Sequence, residues 1–377
     1  MSVLANSYVC SISEKNLKIF SFYLPQFHPD PMNDRFWGLN FTDWVTTRQA
    51  KPLFDGHKQP FLPLDSNYYD LSDLSVLKKQ SVMAKNHGID GFGVYHYHFK
   101  EGVRALWNPI HNLRRDPDIE IEYFICWVNA NWTKSWVGDD QTTIYKQFYD
   151  QKSIKSLAED CCNFFSDQRY YKINDKPLFY IHDPSSLELA FFKDTFLSVT
   201  QSYGFDDVRF CSPQIYVKPS QVKELDYLLG FPPGDMPSVA MKAQLIYRFL
   251  LEGSFKKNIL LRNSFRRFSC FSFDQYSKKY TSFVKKASND PSYIPTILSG
   301  WDNTPRYGDR GFLFEGFNSR SFKSFAKDCL VESYNRSKEF FMIKAWNEWA
   351  EGNVLEPSVE HGSTILKAFA EAKTLAS

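Results

Sequence analysis

At 377 residues the chain could hold two average domains or one large α/β barrel, and a formal net charge of +2 gives no support for nucleic acid as an obligatory partner. No apolar run approaches the ~18 residues a transmembrane helix needs, and Met1 to Lys18 lacks a basic stretch followed by an apolar one, so no signal peptide is expected. Seven cysteines with no C-x-x-C pair, two of them adjacent at Cys161 and Cys162, indicate a reduced, cytoplasmic chain.

After a short tail over about residues 1–16, apolar runs rich in Phe, Tyr, Ile and Val recur, most ending in polar and aromatic residues. The first, Leu17–Leu24, exits into Tyr23-Leu24-Pro25-Gln26-Phe27-His28-Pro29. A connection of roughly sixty residues follows, long enough to imply a functional loop, and it contains Trp37-Gly38-Leu39-Asn40-Phe41-Thr42-Asp43-Trp44. Leu71–His87 spaces Leu74, Leu77, Val82 and Met83 as one helical face, with Gly88 as its stop. The second run, Gly91–Tyr97, exits into Tyr95-His96-Tyr97-His98-Phe99, and the third, Ile119–Val128, into Trp127-Val128-Asn129-Ala130-Asn131-Trp132. Pro177–His182, Val208–Ser212 and Asp226–Gly230 come next. Phe255–Lys286 is crowded with Lys, Arg and Phe, which fits a pair of amphipathic outer helices, with a lid or a patch touching acidic glycan or membrane as alternatives. Ile294–Ser299 exits into Gly300-Trp301-Asp302-Asn303-Thr304-Pro305-Arg306, and Phe340–Ala345 into Trp346-Asn347-Glu348-Trp349-Ala350-Glu351-Gly352.

Eight strands alternating with helices predict one α/β domain over residues 1–377, a (β/α)8 TIM barrel with long βα loops. A doubly wound open sheet is the alternative, but no G-x-G-x-x-G or Walker A run follows any strand. In a barrel the C-terminal strand ends converge on one face. The exits, with Trp44 from the long first connection and Glu356 as a further candidate that reads more simply as a loop residue tying down the site, give the candidate substrate-binding set: Tyr23, Gln26, His28, Trp44, His96, Tyr97, His98, Trp127, Asn129, Asn131, Trp132, Trp301, Asp302, Asn303, Arg306, Trp346, Asn347, Trp349 and Glu356. Aromatic residues make up 17% of the chain, with 35 Phe, 21 Tyr and 9 Trp. A large core absorbs many of them, and the Trp and Tyr also suit stacking against the C–H faces of sugars.

Glycosidic bond cleavage needs a proton donor and a second carboxylate. Glu348 and Glu351, three residues apart, would point the same way if the chain turned into a helix, and a neighbouring charge plus surrounding rings would keep one protonated. The competing reading is a helix N-terminus carrying favourable acidic residues. His96-x-His98 could ligate zinc with His28 or His182, and Asp139-Asp140 could hold a cation; sugar contacts and ordinary loop acids are the simpler readings, so no metal or cofactor is expected. Cys126 reads as a small buried apolar residue.

Taken in order, Tyr23-Leu24-Pro25-Gln26-Phe27-His28-Pro29, Gly38-x-x-Phe41-Thr42-Asp43-Trp44, Gly88-Ile89-Asp90-Gly91-Phe92, Gly300-Trp301-Asp302-Asn303-Thr304 and Trp346 to Gly352 resemble the WbsX family of bacterial polysaccharide-biosynthesis proteins, from about Ile19 to Ala370. That family's domain is similar to glycoside hydrolase family 99. The resemblance implies a (β/α)8 barrel acting with retention on α-mannoside-like linkages of an oligo- or polysaccharide, in surface polysaccharide (O-antigen, lipopolysaccharide) biosynthesis. It further implies that Glu348 deprotonates the sugar 2-OH. Glu351 would protonate the leaving oxygen and then activate water, by way of a 1,2-anhydro sugar. One departure stands out: the family pattern Trp-x-Asn-Glu-Asn-Trp has Ala130 in place of its glutamate here. A glycosyltransferase using an activated donor, with a cation at Asp139 and Asp140, and a non-catalytic glycan-binding barrel remain as alternatives.

Overall fold

The computed structural model describes residues 17–134, 139–235 and 269–377. All eight expected strands are present: β1 (Lys18–Tyr23), β2 (Gly91–His98), β3 (Glu122–Trp127), β4 (Lys176–Ile181), β5 (Arg209–Pro213), β6 (Tyr227–Leu229), β7 (Tyr293–Ile294 continuing as Thr296–Leu298) and β8 (Phe340–Lys344). Each pairs in parallel with its neighbour, from Phe20 against Gly91 through to Lys18 against Phe340. Closure depends on β7, which Pro295 divides because proline has no N–H to give to a ladder. Its first half pairs with β6 and its second with β8, while the Pro295 carbonyl still accepts from Met342 N at 3.0 Å.

Outer helices return the chain between strands: α1 (Pro31–Trp37) and α2 (Asp43–Gln49) in the long first connection, then α3 (Leu74–Asn86), α4 (Asn108–Arg115), α5 (Gln151–Phe165), α6 (Leu189–Ser202), α7 (Phe273–Ala287), α8 (Ser319–Asn335) and α9 (Thr364–Ala376). The expected helix over Leu71–His87 starts later, at Leu74, because Asp73 caps it by accepting from Ser75 N at 2.8 Å. Gly88 follows its end at φ +77°. The basic segment Phe255–Lys286 contributes most of α7; its residues 255–268 lie outside the described residues.

Inward-pointing rings fill the barrel. Phe20 meets Phe124 and Tyr171 with centroids 5.2 and 4.6 Å apart, and Phe22 meets Tyr95 and Tyr180 one layer higher. Gly91 makes room for this packing: a Cβ there would come within 2.3 Å of the Phe20 ring. Much of the aromatic content is thus core. Among the described residues no helix is long and apolar enough to cross a membrane. Cys126 is buried, as are Cys161, Cys162, Cys211 and Cys329.

Candidate active site

The run after β8 is a hairpin rather than the start of a helix. Asn347–Glu348 pairs antiparallel with Asn353–Val354, and a single 3-10 turn, Trp349–Glu351, joins them. Three residues complete such a turn, so side chains at i and i+3 eclipse. Glu348 and Glu351 therefore share a side for a reason other than the α-helix expected. Gly352 closes the turn at φ +59°, where a Cβ would press to 3.0 Å on Asp302 N.

Both glutamates line a cavity of about 680 Å³ at the C-terminal end of the barrel. Arg306, from the turn after β7, binds them together: Nη2 lies 2.7 Å from Glu348 Oε1 and 3.3 Å from Asp43 Oδ2, and Nη1 lies 3.5 Å from Glu351 Oε1. Asp43, the first residue of α2, is fully buried and also accepts from Gln26 Nε2 at 2.9 Å. Lys344, the last residue of β8, places Nζ 3.9 Å from Glu351 Oε2. Two cations and three carboxylates thus form one nearly closed cluster.

Burial pushes the Glu348 carboxyl well above the usual carboxylate range; Arg306 opposes that and the charge of Glu351 reinforces it. Burial disfavours charge on Arg306 too, but Glu348, Asp43 and Glu351 together raise its pKa. Burial lowers that of Lys344. The same cause, with the charge of Lys344, brings His182 on the cavity wall down to about 4. Aromatic walls complete the cavity, among them Tyr95, Tyr97, Trp132, Tyr216, Phe231, Trp301 and Phe312.

Of the expected substrate contacts, Gln26, Tyr97, Asn131, Trp132, Trp301, Asn303 and Arg306 reach this cavity, as does Ala130. The others are placed behind it. Alternation along β2 turns Tyr95 and Tyr97 inward, so His96 and His98 face α5 instead. There His96 Nε2 donates to Asp160 Oδ2 at 3.0 Å, and Arg104 holds the same carboxylate. Against the opposing effect of burial, these two partners bring Asp160 down to about 2, and burial takes His98 down to about 3. Trp127 packs parallel to Phe192 with centroids 5.4 Å apart. Asn129 donates to the Asp183 carbonyl, and His28, fully buried, donates from Nδ1 to the Pro29 carbonyl.

Tyr23, Trp44, Trp346, Asn347, Trp349 and Glu356 form a buried support. Glu356 accepts from Tyr69 OH at 2.7 Å, Gln80 Nε2 at 2.7 Å and Trp349 Nε1 at 3.0 Å. Asn347 binds both backbone groups of Leu24, tying the hairpin to β1. Tyr23 donates to Gln80, Trp44 packs on Trp349, and Trp346 packs on Phe92. Asp302 is likewise occupied: Oδ2 accepts from His57 Nε2 (2.8 Å) and Gln59 Nε2 (2.7 Å), and Oδ1 from Thr304 N and Oγ1. Since Leu53 N donates to His57 Nδ1, the proton of that ring sits on Nε2.

Asp43 and Lys344 are the charged members of the site that were not singled out from sequence. A lysine closing an otherwise apolar strand was the available signal for Lys344. Among the described residues, no group of three or more His, Cys, Asp or Glu is placed to hold a metal ion. The side chains of Asp139 and Asp140 lie outside the described residues.

Fold and site together define a (β/α)8 protein whose C-terminal face presents a paired-glutamate cleft under aromatic walls. The chain belongs to the family described as glycosyltransferase WbsX, whose model matches residues 19–369. It is 27% identical over 365 residues to the WxcX proteins of two Xanthomonas campestris pv. campestris strains, ATCC 33913 and B100; the match covers 95% of this chain and 50% of theirs, so the chain spans about half the length of the curated relatives it matches. Its fold is similar to that of the GH99 endo-alpha-mannosidase from Bacteroides thetaiotaomicron (TM-score 0.54, 13% identity, 96% of each chain) and to that of a glycoside hydrolase-like protein (TM-score 0.56, 14% identity, 95% of each chain).

Proposed function

We propose that the protein cleaves or re-forms α-mannoside-like glycosidic bonds with retention, through Glu348 and Glu351, during assembly of a bacterial surface polysaccharide. The observation that carries this reading is the bridging of both carboxylates by the single guanidinium of Arg306 at the edge of a ring-walled cavity. One guanidinium can touch both only if they lie inside the ~10 Å over which glycoside chemistry works. Their environments differ. Glu348 is buried and bound by Arg306 at hydrogen-bonding distance, which fixes its orientation, and as a carboxylate it is the group placed to accept the proton of a sugar 2-hydroxyl. Glu351 has 17% of its side chain exposed, and neither cation approaches it as closely. It is the group placed to hand a proton to a leaving oxygen. Both carboxylates lie on one turn, which suits an intermediate closed by the substrate's own O2 better than attack from opposite faces of the ring.

The family's description favours transfer over hydrolysis as a second reading, and the same pair serves both, with a sugar hydroxyl replacing water. The test is turnover of a panel of α-linked manno-oligosaccharides by the native protein and by Glu351→Gln, with the product anomer followed by NMR and a sugar acceptor added in one arm. Loss of turnover with glycan binding kept, and a product of retained configuration, is expected. Turnover unchanged in Glu351→Gln would refute the assignment.

A further inference from the structure

Lys344 has no part in the roles assigned above. Its side chain is 10% exposed, and Nζ lies 4.4 Å from the centre of the Phe231 ring and 4.8 Å from that of Trp301. No described residue accepts a hydrogen bond from it, and the nearest carboxylate oxygen, Glu351 Oε2, is 3.9 Å away. Arg306, in contrast, is engaged at 2.7 Å with Glu348 and reaches Glu351 only at 3.5 Å. Glu351 thus stands between two cations, Oε1 toward Arg306 and Oε2 toward Lys344.

The ammonium borders the cavity with no carboxylate oxygen of the described residues nearer than 3.9 Å, and the ring faces beside it give only modest stabilisation. Its position becomes favourable when negative charge appears beside it. Glu351 generates such a charge on giving up a proton. We propose that Lys344 is a positioning residue that receives the Glu351 carboxylate as it forms, an inference that rests on the reading of Glu351 as the acid. In that step Glu348 takes the proton of the sugar 2-hydroxyl, O2 forms a bond to C1, the C1–O bond to the leaving group breaks with its electron pair staying on that oxygen, and the proton of Glu351 passes to it. Glu351 is left as a carboxylate between Lys344 and Arg306 until water, or an acceptor hydroxyl, returns a proton to it. Lys344 keeps its own proton and changes no bond.

The other groups around Lys344 leave it free for this role. Glu348 is held by Arg306, and Asp235, from the loop after β6, accepts from Phe231 N at 2.7 Å and Tyr280 OH at 3.1 Å. His182 on the remaining side is uncharged at neutral pH, its pKa having fallen to about 4.

The test compares the native protein with Lys344→Met, Lys344→Gln and Lys344→Arg. A water-soluble carbodiimide reacts with protonated carboxyl groups, so mass spectrometry of labelling at Glu351 across pH reports its protonation whether or not turnover is found. Removing the cation should carry labelling about one pH unit further toward alkaline conditions in Met and Gln, with Arg close to native. On a glycan that is turned over, kcat should fall ~10-fold in Met and Gln at little change in KM and recover in Arg. An unchanged labelling range in a folded Met or Gln variant overturns the proposal. A shifted range together with unchanged turnover in Glu351→Gln supports the coupling while refuting the acid role itself.

Discussion

Replacing Arg306 by Met tests the centre of the site most directly. The guanidinium is 10% exposed and faces three carboxylates at 2.7, 3.3 and 3.5 Å. At an effective dielectric near 20, one such contact at ~4 Å amounts to ~4 kcal/mol. Removing one partner of a buried pair typically costs ~3–5 kcal/mol, because the abandoned carboxylates relieve themselves by taking up protons. We therefore expect a loss of ~3–5 kcal/mol at about pH 8. The sign of its pH dependence follows from Glu348, whose folded-state pKa is already raised by burial and rises further once Arg306 is gone. A carboxyl raised in the folded state contributes stability that is present in acid and lost as pH rises through its folded value. The penalty of the variant should accordingly shrink toward ~1 kcal/mol near pH 4. Denaturant unfolding of both proteins across that range measures it. A penalty below ~1 kcal/mol at pH 8, or one independent of pH, would refute the account of Arg306 as counter-charge to a buried acidic cluster.

Glu356, which burial raises to about 7 against its three hydrogen bonds, should give the native protein a stability that declines by roughly 3 kcal/mol as pH climbs from ~4.3 through 7. That slope should vanish in Glu356→Gln, and a slope surviving the substitution in denaturant unfolding would place its origin elsewhere. Asp302→Ala strands the His57 and Gln59 donors and should cost ~2–4 kcal/mol of stability while leaving glycan affinity of the folded protein unchanged. A large loss of affinity at native-like stability would return Asp302 to the substrate-contacting set.

The barrel was legible because each strand is an apolar run ended by polar or aromatic residues, and burial on both faces leaves little else for such a run to be. Even the divided β7 matched its expected span to within one residue at its start, Tyr293, since Pro295 interrupts the ladder without ending the strand. Residue placement at the exits was harder to read. Proximity to a strand end does not fix which side a side chain takes, and period-two alternation sends His96 and His98 away from a cavity that Tyr95 and Tyr97 line. Motif membership misleads in a related way: Asn347, Trp349 and Asp302 hold the site and do not line it, whereas Glu356, outside any motif, ties the site down as a loop residue should. Asp43 illustrates the converse, a residue quoted within its motif whose role depends on the packing of α2 against the turn that carries Arg306.

That arrangement bears on why so many elements converge on two glutamates. A carboxylate pair on a single 3-10 turn, flanked by Gly352, has little intrinsic rigidity. Its geometry is supplied from outside: Asn347 fixes the hairpin to Leu24, Trp349 is held by Glu356 from below, the Glu351 carbonyl accepts from Asp302 N at 2.7 Å, and Arg306 spans the carboxylates. Asp302 is itself fixed by His57 and Gln59 from the long first connection. The connection that contains α1 and α2 therefore acts on the pair twice, through Asp43 on Arg306 and through His57 on Asp302. A βα loop of this length is accounted for by what it positions, so substitutions in it should alter kcat at distances where no substrate contact exists.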